Sequence, residues 1–225
     1  EKGRRMTRLA ALQIGSRPEG KAATLEALLA WEPELAEARP DVLVLPEALL
    51  GGYPKGSSFG TRLGFRTPEG RAEFAAYFEN AITLDGPEMA TLAALAARIG
   101  STIVMGVIER AGSTLYCTAV FLDPSQGLVA HHRKLMPTGT ERLIWGQGDG
   151  STLPVVPTKA GPASAAICWE NYMPLLRTTM YAKGIEIYCA PTADARESRL
   201  ASMRHIAVEG RCFVLSCNQY ALRSD

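Results

Sequence analysis

The spacing of apolar and polar positions changes period several times along the chain, and each change predicts an element. Residues Arg8 to Ile14 alternate toward an apolar strand, whereas Ala22 to Leu35 place apolar residues at helical spacing. Pro33 falls inside that stretch and predicts a kink or a division, because proline is tolerated in a helix only in its first turn. Val42-Leu43-Val44-Leu45 has no polar alternate, the pattern of a strand buried on both faces, and it stops at Pro46-Glu47. A long polar, glycine-rich passage follows from Leu50 to Arg71, containing Gly51-Gly52-Tyr53-Pro54. Loops of that length in compact domains are usually functional.

Glu88 to Ile99 predicts an amphipathic helix, opened by Pro87 and stopped by Gly100. Thr102 to Glu109, Leu115 to Leu122 and Leu128 to Arg133 read as strands joined by tight turns at Ala111-Gly112-Ser113 and Pro124-Ser125-Gln126-Gly127. A second glycine-rich passage, Met136 to Thr152, leads to a small-residue strand, Ala163 to Ile167, that ends at Cys168. Tyr172 to Lys183 reads as helix, Ile185 to Ala190 as strand, Ser198 to Gly210 as helix and Cys212 to Cys217 as strand. Strands alternate with helices and hairpins occur only in the middle. That order predicts a layered α/β fold, one domain over residues 1–225 with its core from about residue 8 to 220.

Composition narrows the function. Among 225 residues 47% are hydrophobic and 21% charged, enough to bury a substantial core. With 24 basic against 23 acidic residues and no basic block, no nucleic-acid partner is expected. Lys2, Arg4, Arg5 and Arg8 come nearest to one and read as a segment preceding the domain, with Met6 as a native start. No apolar run reaches the roughly 18 residues of a membrane helix, and the start lacks the order of a signal peptide. Five cysteines with no CxxC pair predict reduced thiols and a cytoplasmic location. His131 and His132 are adjacent and His205 has no His or Cys four residues on, so no metal site is expected.

Three reactive side chains share a placement: Glu47 follows a strand directly, Lys134 closes one, and Cys168 ends another. In open α/β architectures ligands bind in the crevice outside strand ends. Each has an ordinary alternative. Cys168 reads equally as a small buried hydrophobe or as a nucleophile, with a helix near Tyr172 able to lower its pKa. Glu47 is either a solvated loop carboxylate or a fixed, partly desolvated proton carrier, and Lys134, beside His132-Arg133, is either surface charge or part of a site.

At these residues the sequence resembles the nitrilase branch of the carbon–nitrogen hydrolase superfamily, especially its plant-type and related bacterial members. The likeness is an ordered series: Leu45-Pro46-Glu47, Gly51-Gly52-Tyr53-Pro54, then His132-Arg133-Lys134-Leu135-Met136-Pro137-Thr138 and Glu141-Arg142. Trp145-Gly146-Gln147-Gly148-Asp149-Gly150, Cys168-Trp169-Glu170-Asn171, Ala190-Pro191-Thr192 and Arg204-His205-Ile206-Ala207 complete it. The resemblance implies an αββα sandwich, a catalytic triad of Glu47, Lys134 and Cys168, and a second glutamate at Glu141. It further implies no cofactor, a small-molecule nitrile substrate bound near Tyr53, Trp169 and Thr192, and assembly as a homodimer or spiral homo-oligomer. Tyr53 and Trp169 read equally as packing aromatics, Arg142 and Asp149 as ties within their loop, and His205 as a core histidine.

Members of this branch continue beyond the strand at Cys212 to Cys217, so a chain ending at Arg223-Ser224-Asp225 is expected to lack their C-terminal strands and tail and to carry an exposed sheet edge. Arg199 stands where relatives commonly have tryptophan, altering the pocket or marking surface variation. Three readings follow: a nitrilase releasing acid and ammonia, an amidase or nitrile-hydrating enzyme of the same fold, and an inactive filament-forming subunit.

Overall fold

The computed structural model describes residues 6–221; Lys2, Arg4, Arg5 and Arg223 to Asp225 lie outside them. Among the described residues eight strands form two sheets. In the first, β1 (Leu9–Ala11), β2 (Val42–Val44), β3 (Thr102–Ala111), β4 (Thr114–Asp123) and β5 (Gly127–Arg133) lie side by side in chain order. β1, β2 and β3 run parallel, and the β3–β4 and β4–β5 pairs are antiparallel. The second sheet, β6 (Ala163–Ala165), β7 (Ile187–Thr192) and β8 (Phe213–Asn218), is parallel throughout.

Strand periodicity of two explains the layering. Val42 and Val44 of β2, Val104 and Ile108 of β3, and Ala119 and Phe121 of β4 point into a core shared with Ala163, Ala165, Ile187, Cys189 and Leu215 of the other sheet. The alternate residues Leu43, Ile103, Met105, Val120 and Leu122 face outward into a second core. There they meet Leu28 of α1 (Lys21–Leu29), Leu35 of α2 (Glu32–Ala38) and Leu92, Leu95 and Ile99 of α4 (Pro87–Ile99). Behind the second sheet, Tyr188 and Ala190 pack on Leu176 and Met180 of α5 (Pro174–Ala182) and on Met203 and Ile206 of α6 (Glu197–Gly210). The layers are helix, sheet, sheet, helix, which is the expected sandwich.

Pro33 divides the first helical stretch instead of kinking it, sitting in the opening turn of α2. Gly100 ends α4 in the left-handed conformation, as its position predicts. The polar passage after Leu50 is shorter than expected, because helix α3 (Pro68–Asn80) begins inside it. Thr67 caps that helix by accepting from the Gly70 N–H, and Phe74, Tyr77 and Phe78 turn one face onto the central core. A cap, a proline at the first turn and apolar residues at i, i+3 and i+4 were all present in the sequence. β8 lies at the edge of its sheet, with Phe213 exposed.

Candidate active site

Four side chains from three separate stretches of the sequence meet at one end of the two sheets. Glu47 follows β2 and is fully buried. Its backbone crosses β3 at Gly106: the Gly106 N–H donates to Pro46 O (2.9 Å) and the Leu49 N–H to Gly106 O (2.8 Å). A Cβ on Gly106 would lie 2.4 Å from Glu47 Cα, so only glycine permits this approach. Ala48, next in the chain, takes φ 52°, a left-handed conformation held by Gln219 and Ser16 donating to its carbonyl.

The Glu47 carboxylate is held from three sides. Oε1 accepts from Lys134 Nζ (2.9 Å) and from the Cys117 thiol (3.6 Å), and Oε2 accepts from the Ala193 N–H (2.9 Å). Lys134, equally buried, also donates to Glu141 Oε2 (2.8 Å). Glu141 in turn accepts from the Thr138 N–H (2.6 Å, Oε2) and from the Tyr53 hydroxyl (2.6 Å, Oε1). Trp145 lies edge-on to Tyr53 and beneath the Lys134 ammonium, 5.5 Å from ring centroid to Nζ. Burial alone would lower the Lys134 pKa, but Glu47, with Cys117 and Glu141, overrides it and holds the ammonium well above its usual range.

Cys168 opens a short 3₁₀ turn, Cys168–Tyr172, with φ 51°. A left-handed conformation is costly for a side-chain-bearing residue and persists only where its surroundings enforce it. Here Asn171 Nδ2 donates to Cys168 O (2.6 Å), and the Glu170 carboxylate accepts from the Ile167 N–H (2.8 Å) and the Leu135 N–H (2.7 Å). His132 Nε2 lies 3.0 and 3.1 Å from the two Glu170 oxygens, so Glu170 ties β5 to the Cys168 turn. The Thr192 hydroxyl donates to Cys168 Sγ (3.3 Å). The end of β7 therefore positions both the thiol, through Thr192, and the carboxylate, through Ala193.

The expectation of a lowered thiol pKa is overturned. Burial first, then the Glu47 carboxylate, push Cys168 up to about 12, against the opposing pulls of Lys134, Thr192 and Arg199. Helix α5 begins only at Pro174, six residues on, so its dipole is too remote to reverse this. The raised pKa favours the protonated thiol of Cys168, and Glu47 is among the groups that raise it.

Tyr53, expected at the substrate, is the partner of Glu141, and Thr192 is the partner of Cys168 itself. Trp169 is half-exposed against Tyr172 and the Arg196 guanidinium. Arg142 donates to Pro137 O and Asp149 caps Ser151, each a tie within its loop. His205 does not lie in the core: its ring is exposed and pairs with Glu209 one helical turn along. Arg199 is not surface variation, since it is 4% exposed and donates to Cys168 O (3.2 Å). Cys117, Trp145 and Glu170 were missed, although Trp145 and Glu170 fall within the quoted motifs. Nothing local distinguishes Cys117 from any other strand cysteine.

Among the described residues no cluster of three or more His, Cys, Asp or Glu side chains is placed to hold a metal ion, and no helix is long and apolar enough to cross a membrane. A surface cleft of about 1040 Å³, lined by the Phe59 to Thr67 loop with Phe74 and Leu143, is a separate feature that none of the four site residues lines.

The carbon–nitrogen hydrolase family profile matches residues 8–223. An aliphatic nitrilase of Sinorhizobium fredii is 56% identical over 218 residues, 97% of this chain and 70% of that protein. A bifunctional nitrilase/nitrile hydratase of Nicotiana tabacum, NIT4B, is 56% identical over 203 residues, 90% of this chain but 58% of its own length. The fold matches Nit3 of Saccharomyces cerevisiae, a member of branch 10 of the nitrilase superfamily, with a TM-score of 0.76 at 21% identity over 97% of this chain and 78% of that one. It also matches an amidase of Nesterenkonia sp., with a TM-score of 0.71 at 19% identity over 95% of this chain and 76% of that one. The buried Glu47–Lys134–Glu141 cluster beside a strained cysteine turn thus sits in a chain that belongs, by its family match and its relatives, to the nitrilase branch of the carbon–nitrogen hydrolase family.

Proposed function

We propose that this chain hydrolyses an organic nitrile to the carboxylic acid and ammonia, with Cys168 as nucleophile, Glu47 as general acid and base, and Lys134 as fixed positive charge. The observation that carries this reading is the buried set of contacts in which Lys134 bridges Glu47 and Glu141 while Thr192 and Ala193 hold the thiol and the carboxylate.

Glu47 takes the Cys168 thiol proton as sulfur attacks the nitrile carbon, and a proton passes to the nitrogen, giving a thioimidate. Pairing the two steps answers the raised thiol pKa: proton and negative charge exchange places inside the site. Water, deprotonated by Glu47, then adds to the thioimidate carbon. The tetrahedral species expels ammonia to leave a thioester, and a second water releases the acid and restores the thiol. Lys134 and the backbone N–H of Trp169 stabilise the tetrahedral states. That N–H belongs to the first residues of a 3₁₀ turn and has no acceptor within it. Glu141 fixes Lys134 and is fixed by Tyr53. Trp169 and Tyr53 border the substrate, and five unpaired buried thiols suit a reducing, cytoplasmic setting. Assembly as a homodimer or spiral homo-oligomer belongs to the same reading.

The tetrahedral species carries both amine and thiolate leaving groups. The bifunctional naming of the Nicotiana relative supports a second product, the amide, formed whenever sulfur leaves first. Incubation with aliphatic, aromatic, arylaliphatic and cyano-amino-acid nitriles, with ammonia, acid and amide measured together, tests the reading. Acid and ammonia should appear in equal amounts and vanish in Cys168→Ala. Turnover that survives this substitution, or conversion of amides alone, would overturn it.

A further inference from the structure

The first turn of α6 directs Arg199 inward, under the nucleophile turn. Its Nη1 donates to Cys168 O (3.2 Å), Nη2 to Ala190 O (3.0 Å) and Ser216 Oγ (3.1 Å), and Nε to the same hydroxyl (3.3 Å). Ser216 also donates to Ala190 O (3.1 Å), closing the network. Among the described residues no carboxylate forms an ion pair with this guanidinium; Asp194, five positions earlier, is bound by Arg196. A buried charge without a counter-ion is expensive, and a neutral side chain would fill the same space at lower cost.

We infer that Arg199 is a positioning residue for the reaction: it clamps the Cys168–Trp169 peptide and places a fixed positive charge behind the nucleophile. The inference rests on Cys168 being the nucleophile of the proposed hydrolysis. A trans peptide is planar, with its C=O and N–H pointing in opposite directions. Anchoring the Cys168 carbonyl on Arg199 and Asn171 therefore aims the Trp169 N–H to the opposite side, where the tetrahedral species needs a donor. A charge-assisted bond to the carbonyl polarises the peptide and strengthens that donor. The formal charges agree. Glu47, Glu141 and Lys134 together carry −1, which opposes a thiolate; Arg199 adds one positive charge against it before negative charge develops.

The groups facing Cys168 are Glu47 after β2, Lys134 after β5, Thr192 on β7 and Arg199 on α6, and Glu47, Tyr172 and Asp194 face Arg199 in turn. Two variants separate charge from fork: Arg199→Gln keeps a donor without charge, and Arg199→Lys keeps charge without the planar fork. Each is first checked for folding by thermal unfolding. The readouts are kcat and KM on a nitrile turned over by the wild type, and the pH profile of Cys168 alkylation by iodoacetamide, followed by mass spectrometry. Arg199→Gln should lower kcat about 10- to 100-fold with KM nearly unchanged, and should move the alkylation midpoint upward. Arg199→Lys should restore the midpoint but only part of kcat. A folded Arg199→Gln protein with wild-type kcat and midpoint would overturn the inference, as would losses that Arg199→Lys corrects in neither readout. If Arg199→Gln does not fold, Ser216→Ala, which leaves the charge but removes one acceptor, should lower kcat several-fold at an unchanged midpoint; an unchanged kcat would overturn the clamp. Absence of nitrile turnover in the wild type would sink the substrate reading, whereas the alkylation comparison would still decide the role of Arg199.

Discussion

Glu141→Gln isolates what the second glutamate does, because it removes a charge while preserving shape. Glu141 is 7% exposed and its two oxygens accept from Lys134, Thr138 and Tyr53. A glutamine keeps one acceptor oxygen. With that oxygen toward Lys134 and Thr138, the new amide N–H₂ faces the Tyr53 hydroxyl, which must turn and accept. Hydrogen bonds to a charged group contribute about 1 kcal/mol more than neutral ones, so three weakened bonds cost about 3 kcal/mol. For a chain of this size that lowers Tm by about 6–12 °C. Activity should fall as well. With its second partner neutral, the Lys134 charge would turn to Glu47, pulling that carboxylate into a tighter pair and opposing transfer of the thiol proton to it; about 1–2 kcal/mol on the barrier is a 5- to 30-fold lower kcat. Tyr53→Phe should lower both quantities less, and the double variant should fall short of the sum, because both act through one carboxylate. Differential scanning calorimetry with steady-state ammonia release provides both readouts. Strict additivity, or a Glu141→Gln protein with unchanged Tm and kcat, would refute the reasoning.

Gly106→Ala should destabilise by about 1–3 kcal/mol or more, and cost activity out of proportion, because its Cβ meets the Glu47 backbone at 2.4 Å; denaturant unfolding and kcat measure the two effects. Cys117→Ser retains a donor to Glu47 and should keep most of the activity, whereas Cys117→Ala removes it and should lower kcat with little change in KM; equal activities would show that the thiol is mere packing. Cys168, Cys189 and Cys217 are all pushed up to about 12 from 9.0, burial being the largest cause in each. Between these values the folded chain holds protons that the unfolded chain has lost, so stability is full below pH 9 and declines as pH rises toward 12. By about pH 10.5 the loss is on the order of 2 kcal/mol per thiol, and Tm against pH should flatten in Cys217→Ala. A Tm that holds steady through this window would contradict the burial argument.

The elements of the fold were legible because each depends on local periodicity. A two-sided apolar run identified β2, proline and glycine punctuated α4, and glycine-bearing turns marked the hairpins. α3 was overlooked although its signals were local too, because it opens inside the polar passage and its first turn, Pro68-Glu69-Gly70-Arg71, reads as loop. For the site, the sequence by itself determined the candidates: strand ends and ordered motifs brought Glu47, Lys134, Glu141 and Cys168 forward. Only the tertiary structure decided their state and their partners. The Cys168 pKa moves up because burial and a carboxylate from a distant strand outweigh a helix start six residues away. In sequence Arg199 stood open between altering the pocket and marking surface variation; helix α6 packs back over β7 and delivers its guanidinium to the Cys168 carbonyl. Residues more than 30 positions apart, such as Cys168 and Arg199 or Glu47 and Cys117, leave no mark on local pattern. Electrostatics acts through space, and the folded chain sets those distances.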